Sequence, residues 1–176
     1  LIEYGHCDYG ENKVQEAVEK WNGIKKTKKN LRLHMIGKLQ TNKVKIALGL
    51  FDFIHSLDSI KLAKKISEEQ KKLDKNLKIF IQVNIGNESQ KSGIAVSELK
   101  NFYKVCSEDL NLNIIGLMCI PPMESDPTDY FKKMENLAKD LHLKELSMGM
   151  SSDYIKAIEH NSNNIRVGSK IFGLRN

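Results

Sequence analysis

Leu146-Ser147-Met148-Gly149-Met150-Ser151-Ser152-Asp153 and, one short helix later, Ile165-Arg166-Val167-Gly168-Ser169 decide how this chain is read. Each is a short apolar run that ends in glycine and serine where a new helix can begin. Two such turns in neighbouring units aim several backbone N–H groups into one space, which is how a protein holds a phosphate without a lysine. Taken singly, Ser151 and Ser152 could merely cap a helix and Gly168 merely turn the chain. Their occurrence in adjacent units favours the phosphate reading.

Working back from those turns, strand-like and helix-like segments alternate along the whole chain. Strands are predicted at 6–10, 31–36, 51–57, 77–85, 112–120, 145–150 and 164–168. Helical spacing of Val14, Ala17, Val18, Trp21 and Ile24 marks the first full helix, and others are predicted through Leu48, over 60–73, around 99–106, and over 129–141 and 152–161. Asp58-Ser59 is an N-cap pair for the helix that begins at Ile60. Pro121-Pro122 stops the fifth strand, because proline cannot continue a ladder. Repeated strand–helix units with short connections imply a parallel sheet, and the polar turns fall at the strands' C-terminal ends.

Leu1-Ile2-Glu3-Tyr4-Gly5 reads as the tail of a helix closed by a C′ glycine. Seven units behind an orphan helix tail make eight if a strand precedes Leu1, and eight close a TIM-type (β/α)8 barrel. An open doubly wound sheet is the alternative at this level. On the barrel numbering the two Gly/Ser turns follow strands seven and eight, the usual place for a phosphate site in that fold.

The 176 residues suit one domain, 1–176, with a substantial core. With 40% hydrophobic and 28% charged residues the chain is of the globular class, not disordered. Its apolar runs are too short for a membrane helix and no signal-peptide core is present, so a cytoplasmic protein is expected. Cys7, Cys106 and Cys119 have neither disulfide arithmetic nor zinc spacing and read as reduced core thiols. The net charge of +6 comes from lysines dispersed over helices, with no recognition motif, so nucleic-acid binding is not expected. A monomer is expected, since no long apolar helix face is left over in the pattern.

Arg166 stands two residues before Gly168, so strand alternation aims it toward the same mouth, with a structural ion pair to an inward carboxylate as the alternative. Gly10-Glu11-Asn12 supplies a polar amide and a carboxylate for the mouth, or a helix cap. His34, between Leu33 and Met35, faces either a ligand or a hydrogen-bonded interior. No Ser-His-Asp order, metal-ligand spacing, Walker loop or G-x-G-x-x-G is present.

Six ordered motifs carry a resemblance over essentially the whole chain. They are Tyr9 to Glu16, His34 to Lys43, Gln82 to Ile85 with Lys91-Ser92-Gly93, Gly116-Leu117-Met118 with Ile120-Pro121, Leu146 to Ser151, and Arg166 to Ser169 with Ile171-Phe172-Gly173. Together they resemble the pyridoxal-phosphate homeostasis proteins, also called the YggS or PROSC proteins. That family is similar to the N-terminal barrel domain of alanine racemase, without the racemase's second domain.

The resemblance implies a barrel of the alanine racemase N-terminal type, with its first strand missing from this chain. It implies pyridoxal 5′-phosphate (PLP) as cofactor, held at its phosphate by Met150, Ser151, Gly168 and Ser169. Arg166 corresponds to the arginine facing the pyridine nitrogen, and Asn12 and His34 to polar positions lining the mouth. The implied role is in vitamin B6 and PLP homeostasis, holding and releasing the cofactor, with PLP-dependent apoenzymes as recipients and no expected amino-acid turnover. A PLP-dependent racemase-like enzyme is the competing class.

One departure stands out. The family's Schiff-base lysine lies on the first barrel strand in a Val-Ser-Lys-Thr-like motif that this sequence lacks, and Lys38, Lys43 and Lys91 belong to other motifs. The lysine and its strand are therefore expected upstream of Leu1.

Overall fold

A computed structural model describes residues 1–123 and 125–173. Seven parallel strands form one sheet in the order β1-β2-β3-β4-β5-β6-β7. They are β1 (Asp8–Glu11), β2 (Arg32–Met35), β3 (Phe53–Leu57), β4 (Lys78–Gln82), β5 (Ile114–Met118), β6 (Glu145–Met150) and β7 (Asn164–Arg166). The helices are α1 (Val14–Thr27), α2 (Val44–Leu50), α3 (Ile60–Leu73), α4 (Leu99–Lys104), α5 (Thr128–Asp140), α6 (Tyr154–Glu159) and α7 (Ser169–Phe172).

A side-chain contact shows that the sheet curls. His55 on β3 reaches Ser147 on β6 at 2.8 Å. These strands are three places apart, which in a flat sheet means about 14 Å at the usual spacing of about 4.8 Å. Only a closing barrel brings them within one hydrogen bond. This is a TIM-type (β/α)8 barrel with one strand place open between β7 and β1, and the open doubly wound sheet is set aside.

The strands carry two populations of side chain because alternate residues point to opposite faces. Leu33, Ile54, Ile79, Leu117 and Leu146 join Ala17, Trp21, Ala47, Ile66, Phe102 and Phe131 from the helices in one apolar cluster. The other face looks into the lumen. There Phe53 stacks on His34 at 4.1 Å between ring centroids and Phe80 stacks on His55 at 4.2 Å. A parallel sheet covered by helices would ordinarily have apolar residues on both faces. Here the lumen carries imidazoles.

Local signals act largely as the sequence predicts. Ile2–Tyr4 forms a single 3-10 turn closed by Gly5 at φ 83, the left-handed conformation that glycine adopts without a Cβ penalty. Ser59 caps α3, its hydroxyl accepting from the Leu62 amide at 3.3 Å. Helix 152–161 is shorter than predicted, because Ser151 to Asp153 form a turn and α6 begins only at Tyr154. Asp153 does not cap it; its carboxylate accepts from the Met150 amide at 2.6 Å and tightens the turn instead.

Two expectations need correction. Glu11 neither caps a helix nor faces the mouth; it is buried against α1, accepting from the indole of Trp21 at 2.6 Å and from Lys20 at 2.9 Å. An apolar face is also left over. Ile155 and Ile158 on α6, Ile165 on β7 and Ile171 and Phe172 on α7 are all exposed. These residues remove the ground on which a monomer was expected.

Candidate functional site

Met150 ends β6 and Gly168 lies two residues beyond the end of β7, so both turns open at the C-terminal mouth of the barrel. Parallel pairing sets Met150 opposite Arg166 and carries the two turns side by side. One hydrogen bond joins them: the amide of Gly168 donates to the hydroxyl oxygen of Ser151 at 3.1 Å. With its oxygen fixed by that amide, Ser151 can still donate its O–H. Ser169 and Lys170 begin α7, and the first amides of a helix have no intrahelical acceptor. Ser151, Gly168 and Ser169 are exposed or half-exposed, so the group is open to a ligand.

Glycine is required next to this cradle at one position. Gly149 has φ +93, and a Cβ there would meet the Cβ of Ala157 at 2.6 Å. The turn can be this close to α6 only without a side chain.

Arg166 leaves β7 and crosses the lumen. Its guanidinium donates to the carbonyl oxygen of Ser147 at 2.9 Å, to the Ser147 hydroxyl at 2.7 Å and to the carbonyl oxygen of Cys119 at 2.8 Å. The alternative of an ion pair with an inward carboxylate is not met: all three acceptors are neutral oxygens. Burial lowers the pKa of the group, yet a guanidinium stays protonated in proteins. These three bonds leave two of its five N–H donors for other acceptors. A half-buried cation whose hydrogen bonds all go to neutral oxygens, with Asp153 acting on it only through space, favours an anion or a lone pair beside it.

Ser147 is wholly buried and forms the hub of a longer network. His55 Nδ1 lies 2.8 Å from its hydroxyl, His55 Nε2 lies 2.9 Å from His34 Nδ1, and His34 Nε2 lies 3.0 Å from Asp8 Oδ1. Asp8 is also bound by Arg32 at 2.5 Å. Burial pushes the His55 pKa well below the ordinary histidine value, helped by the neighbouring His34 and Arg166. Burial lowers that of His34 as well, against the opposing pull of Asp8. For Asp8, burial works upward, but the bonds from Arg32 and His34 outweigh it and hold the carboxyl below the ordinary range.

The structure thus brings together Met150, Ser151, Arg166, Gly168 and Ser169 of the residues singled out in the sequence. Asn12 is exposed just past β1, where its backbone packs against Gly37. His34 is not at the mouth with them. Both its ring nitrogens are engaged, one by Asp8 at the first residue of β1, and it reaches Arg166 only through His55 and Ser147. His55, Ser147 and Asp8 were not singled out. The available signal was a second histidine, in Phe53-Ile54-His55, breaking an apolar strand as His34 breaks its neighbour.

Lys91 belongs to a different device, joining the loop after β4 to the one after β5 through Glu88 at 2.6 Å and the carbonyl of Pro121 at 3.1 Å. Among the described residues no group of three or more His, Cys, Asp or Glu side chains could hold a metal ion, and no helix is long and apolar enough to cross a membrane.

The sequence matches the family of the alanine racemase N-terminal domain over residues 1–176. It is 40% identical to the pyridoxal phosphate homeostasis protein of Aquifex aeolicus, covering 99% of this chain and 81% of that protein. The chain belongs to the pyridoxal phosphate homeostasis protein family. The family member of Escherichia coli is 34% identical over 99% of this chain and 78% of its own length. Among solved structures, PipY of Synechococcus elongatus with PLP bound superposes with a TM-score of 0.89 at 33% identity, covering 98% of this chain and 84% of PipY. Its form without PLP gives a TM-score of 0.91 at 34% identity, with the same coverage. Alanine racemase of Clostridium difficile shares the fold, with a TM-score of 0.75 at 13% identity over 99% of this chain and 47% of the racemase.

Proposed function

We propose that this chain binds pyridoxal 5′-phosphate at the C-terminal mouth of its barrel and serves to hold and release it in vitamin B6 homeostasis, not to turn over an amino acid. The observation that carries the reading is the juxtaposition of an Arg166 guanidinium satisfied only by neutral oxygens with the linked Ser151 and Gly168 turns. A phosphate and a ring nitrogen lone pair are the acceptors that such a pair of donor groups suits. The family membership and the PLP-bound relative support it.

In this reading the Ser151 hydroxyl and the amides at the start of α7 take the phosphate oxygens, with Gly168 orienting the serine and Met150 shaping the turn. Arg166 donates to the pyridine nitrogen, and a cation there disfavours protonating that nitrogen. Bound PLP supplies an aldehyde and a ring able to draw electrons from an attached group; an unprotonated ring does so weakly. The residues of this chain therefore favour retention over carbanion chemistry. Asn12 borders the same mouth. The lysine that bonds the aldehyde in the family is assigned to none of Lys38, Lys43 and Lys91.

Equilibrium dialysis against PLP tests the reading. Retention of one equivalent that inorganic phosphate competes away, with no racemisation of free amino acids, is the expected result. No retention, or retention indifferent to phosphate, would remove the site from these turns.

A further inference from the structure

The five polar groups that cross the lumen can be ordered by their hydrogens. Arg166 has only donors, so the Ser147 oxygen accepts from it at 2.7 Å. At the far end Asp8, ionised and bound by Arg32, only accepts, so His34 places its proton on Nε2. A neutral His34 then offers a bare Nδ1, which accepts from His55 Nε2–H at 2.9 Å. His55 in turn offers a bare Nδ1 to the Ser147 hydroxyl proton at 2.8 Å. Every donor points the same way, from Arg166 through Ser147, His55 and His34 to Asp8.

The reverse order fails at both ends. With Nδ1–H on each neutral ring, the bare Nε2 of His34 would face the Asp8 carboxylate at 3.0 Å, lone pair against anion. Ser147 would then accept from both His55 and Arg166, and its own proton would lose its acceptor inside a buried site. The burial of both rings keeps them in the neutral form that the relay requires. The titratable groups facing His34 are Asp8, Arg32 and Asp52, and those facing His55 are the neutral His34 ring and the charged Arg166.

We propose that Ser147, His55 and His34 are positioning residues, a one-way hydrogen-bond relay anchored on Asp8 that fixes the Arg166 guanidinium against the ring nitrogen of bound PLP. The role rests on the placement of the PLP ring proposed above. With its proton committed to His55, the Ser147 hydroxyl keeps a lone pair on Arg166 and cannot rotate to compete for the ligand. Stacking of His34 on Phe53 and of His55 on Phe80 holds both imidazole planes. The anchor sits at the N-terminal end of β1, so the orientation of a group near the mouth is set from the opposite end of the barrel.

Two measurements test this. Ring-nitrogen NMR of histidine-labelled protein at pH 7.5, without cofactor, should show His34 and His55 both neutral and both protonated at Nε2; a Nδ1–H form of either ring would overturn the relay whatever the protein binds. Titrations with PLP and with benzyl phosphate, which has a ring and a phosphate but no ring nitrogen, read the positioning role. Asp8→Asn, at the half-exposed far end, and Ser147→Ala should each weaken PLP binding by about two- to twelvefold, one hydrogen bond's worth, and leave benzyl phosphate unchanged. PLP affinity unchanged in both variants would overturn the positioning role. If the tautomers are as expected but Arg166→Ala leaves PLP binding intact, the ring placement itself is wrong, and the positioning role falls with it.

Discussion

Arg166 and Ser147 are joined twice, the guanidinium donating to both the carbonyl oxygen and the hydroxyl of the serine at 2.9 and 2.7 Å. Both bonds come from one guanidinium nitrogen and tie β7, the last described strand, to β6; the other nitrogen donates to the Cys119 carbonyl at 2.8 Å, so the full set needs a forked donor. Lysine is a point donor on a flexible stem and cannot reach Ser147 and the Cys119 carbonyl together. Arg166→Lys should therefore fail to restore what Arg166→Ala loses. In urea unfolding both variants should lose about 1–3 kcal/mol, the cost of leaving a buried acceptor unpaired. Wild-type stability in Arg166→Lys would show that the fork does not matter.

Acid should loosen the barrel earlier than its carboxylates do. Both lumen histidines have folded-state pKa values below the ordinary 6.5, through burial first. The unfolded chain then binds more protons than the folded one as pH falls through 6.5, so stability declines on going down through that value and continues to decline until the folded-state rings titrate. Urea midpoints measured from pH 8 to pH 5 should fall, and His55→Gln should flatten the slope. A midpoint independent of pH across that window would contradict the buried neutral pair.

The cysteines should separate by reactivity. Burial pushes the Cys106 and Cys119 thiols up to about 12, and both are fully buried. Cys7 is half-buried near the chain's first turn. Native protein treated with iodoacetamide near neutral pH should be labelled at Cys7 alone, with the other two reacting only in denaturant. Rapid native labelling of Cys119 would mean that the apolar core it shares with Leu117 opens.

Two glycines of opposite character test the packing. A Cβ on Gly116 would overlap the carbonyl oxygen of Glu145 where β5 pairs with β6, so Gly116→Ala should destabilise by about 1–3 kcal/mol or prevent folding. Gly23 lies exposed inside α1 with nothing near its missing Cβ, and Gly23→Ala should add about 1 kcal/mol. Thermal melting distinguishes them, and destabilisation by Gly23→Ala would count against the α1 geometry.

Much of this was legible in the sequence because the signals were local. The alternation of apolar strands and helical stripes, Ser59 before α3 and the glycines that end each turn all act within a few residues. The two neighbouring turns were readable for the same reason, as adjacent strand ends carrying Gly and Ser. What the sequence hid was long-range. Ser147 and His55 are 92 positions apart, and nothing near either one says that the barrel will close them to 2.8 Å. Glu11 was misread because the side that a strand residue takes depends on which face α1 covers, a tertiary fact. The exposed isoleucines of α6 escaped notice because a six-residue helix shows too little periodicity to reveal a surplus apolar face.

The linked turns and Arg166 should behave as one PLP site. Calorimetric titration of PLP into the wild-type chain and into Ser151→Ala and Arg166→Ala tests it most directly. One site in the wild type, weakened about tenfold or more in each variant as charge-assisted bonds are lost, is the predicted result. Wild-type affinity in both variants would place PLP elsewhere in the molecule.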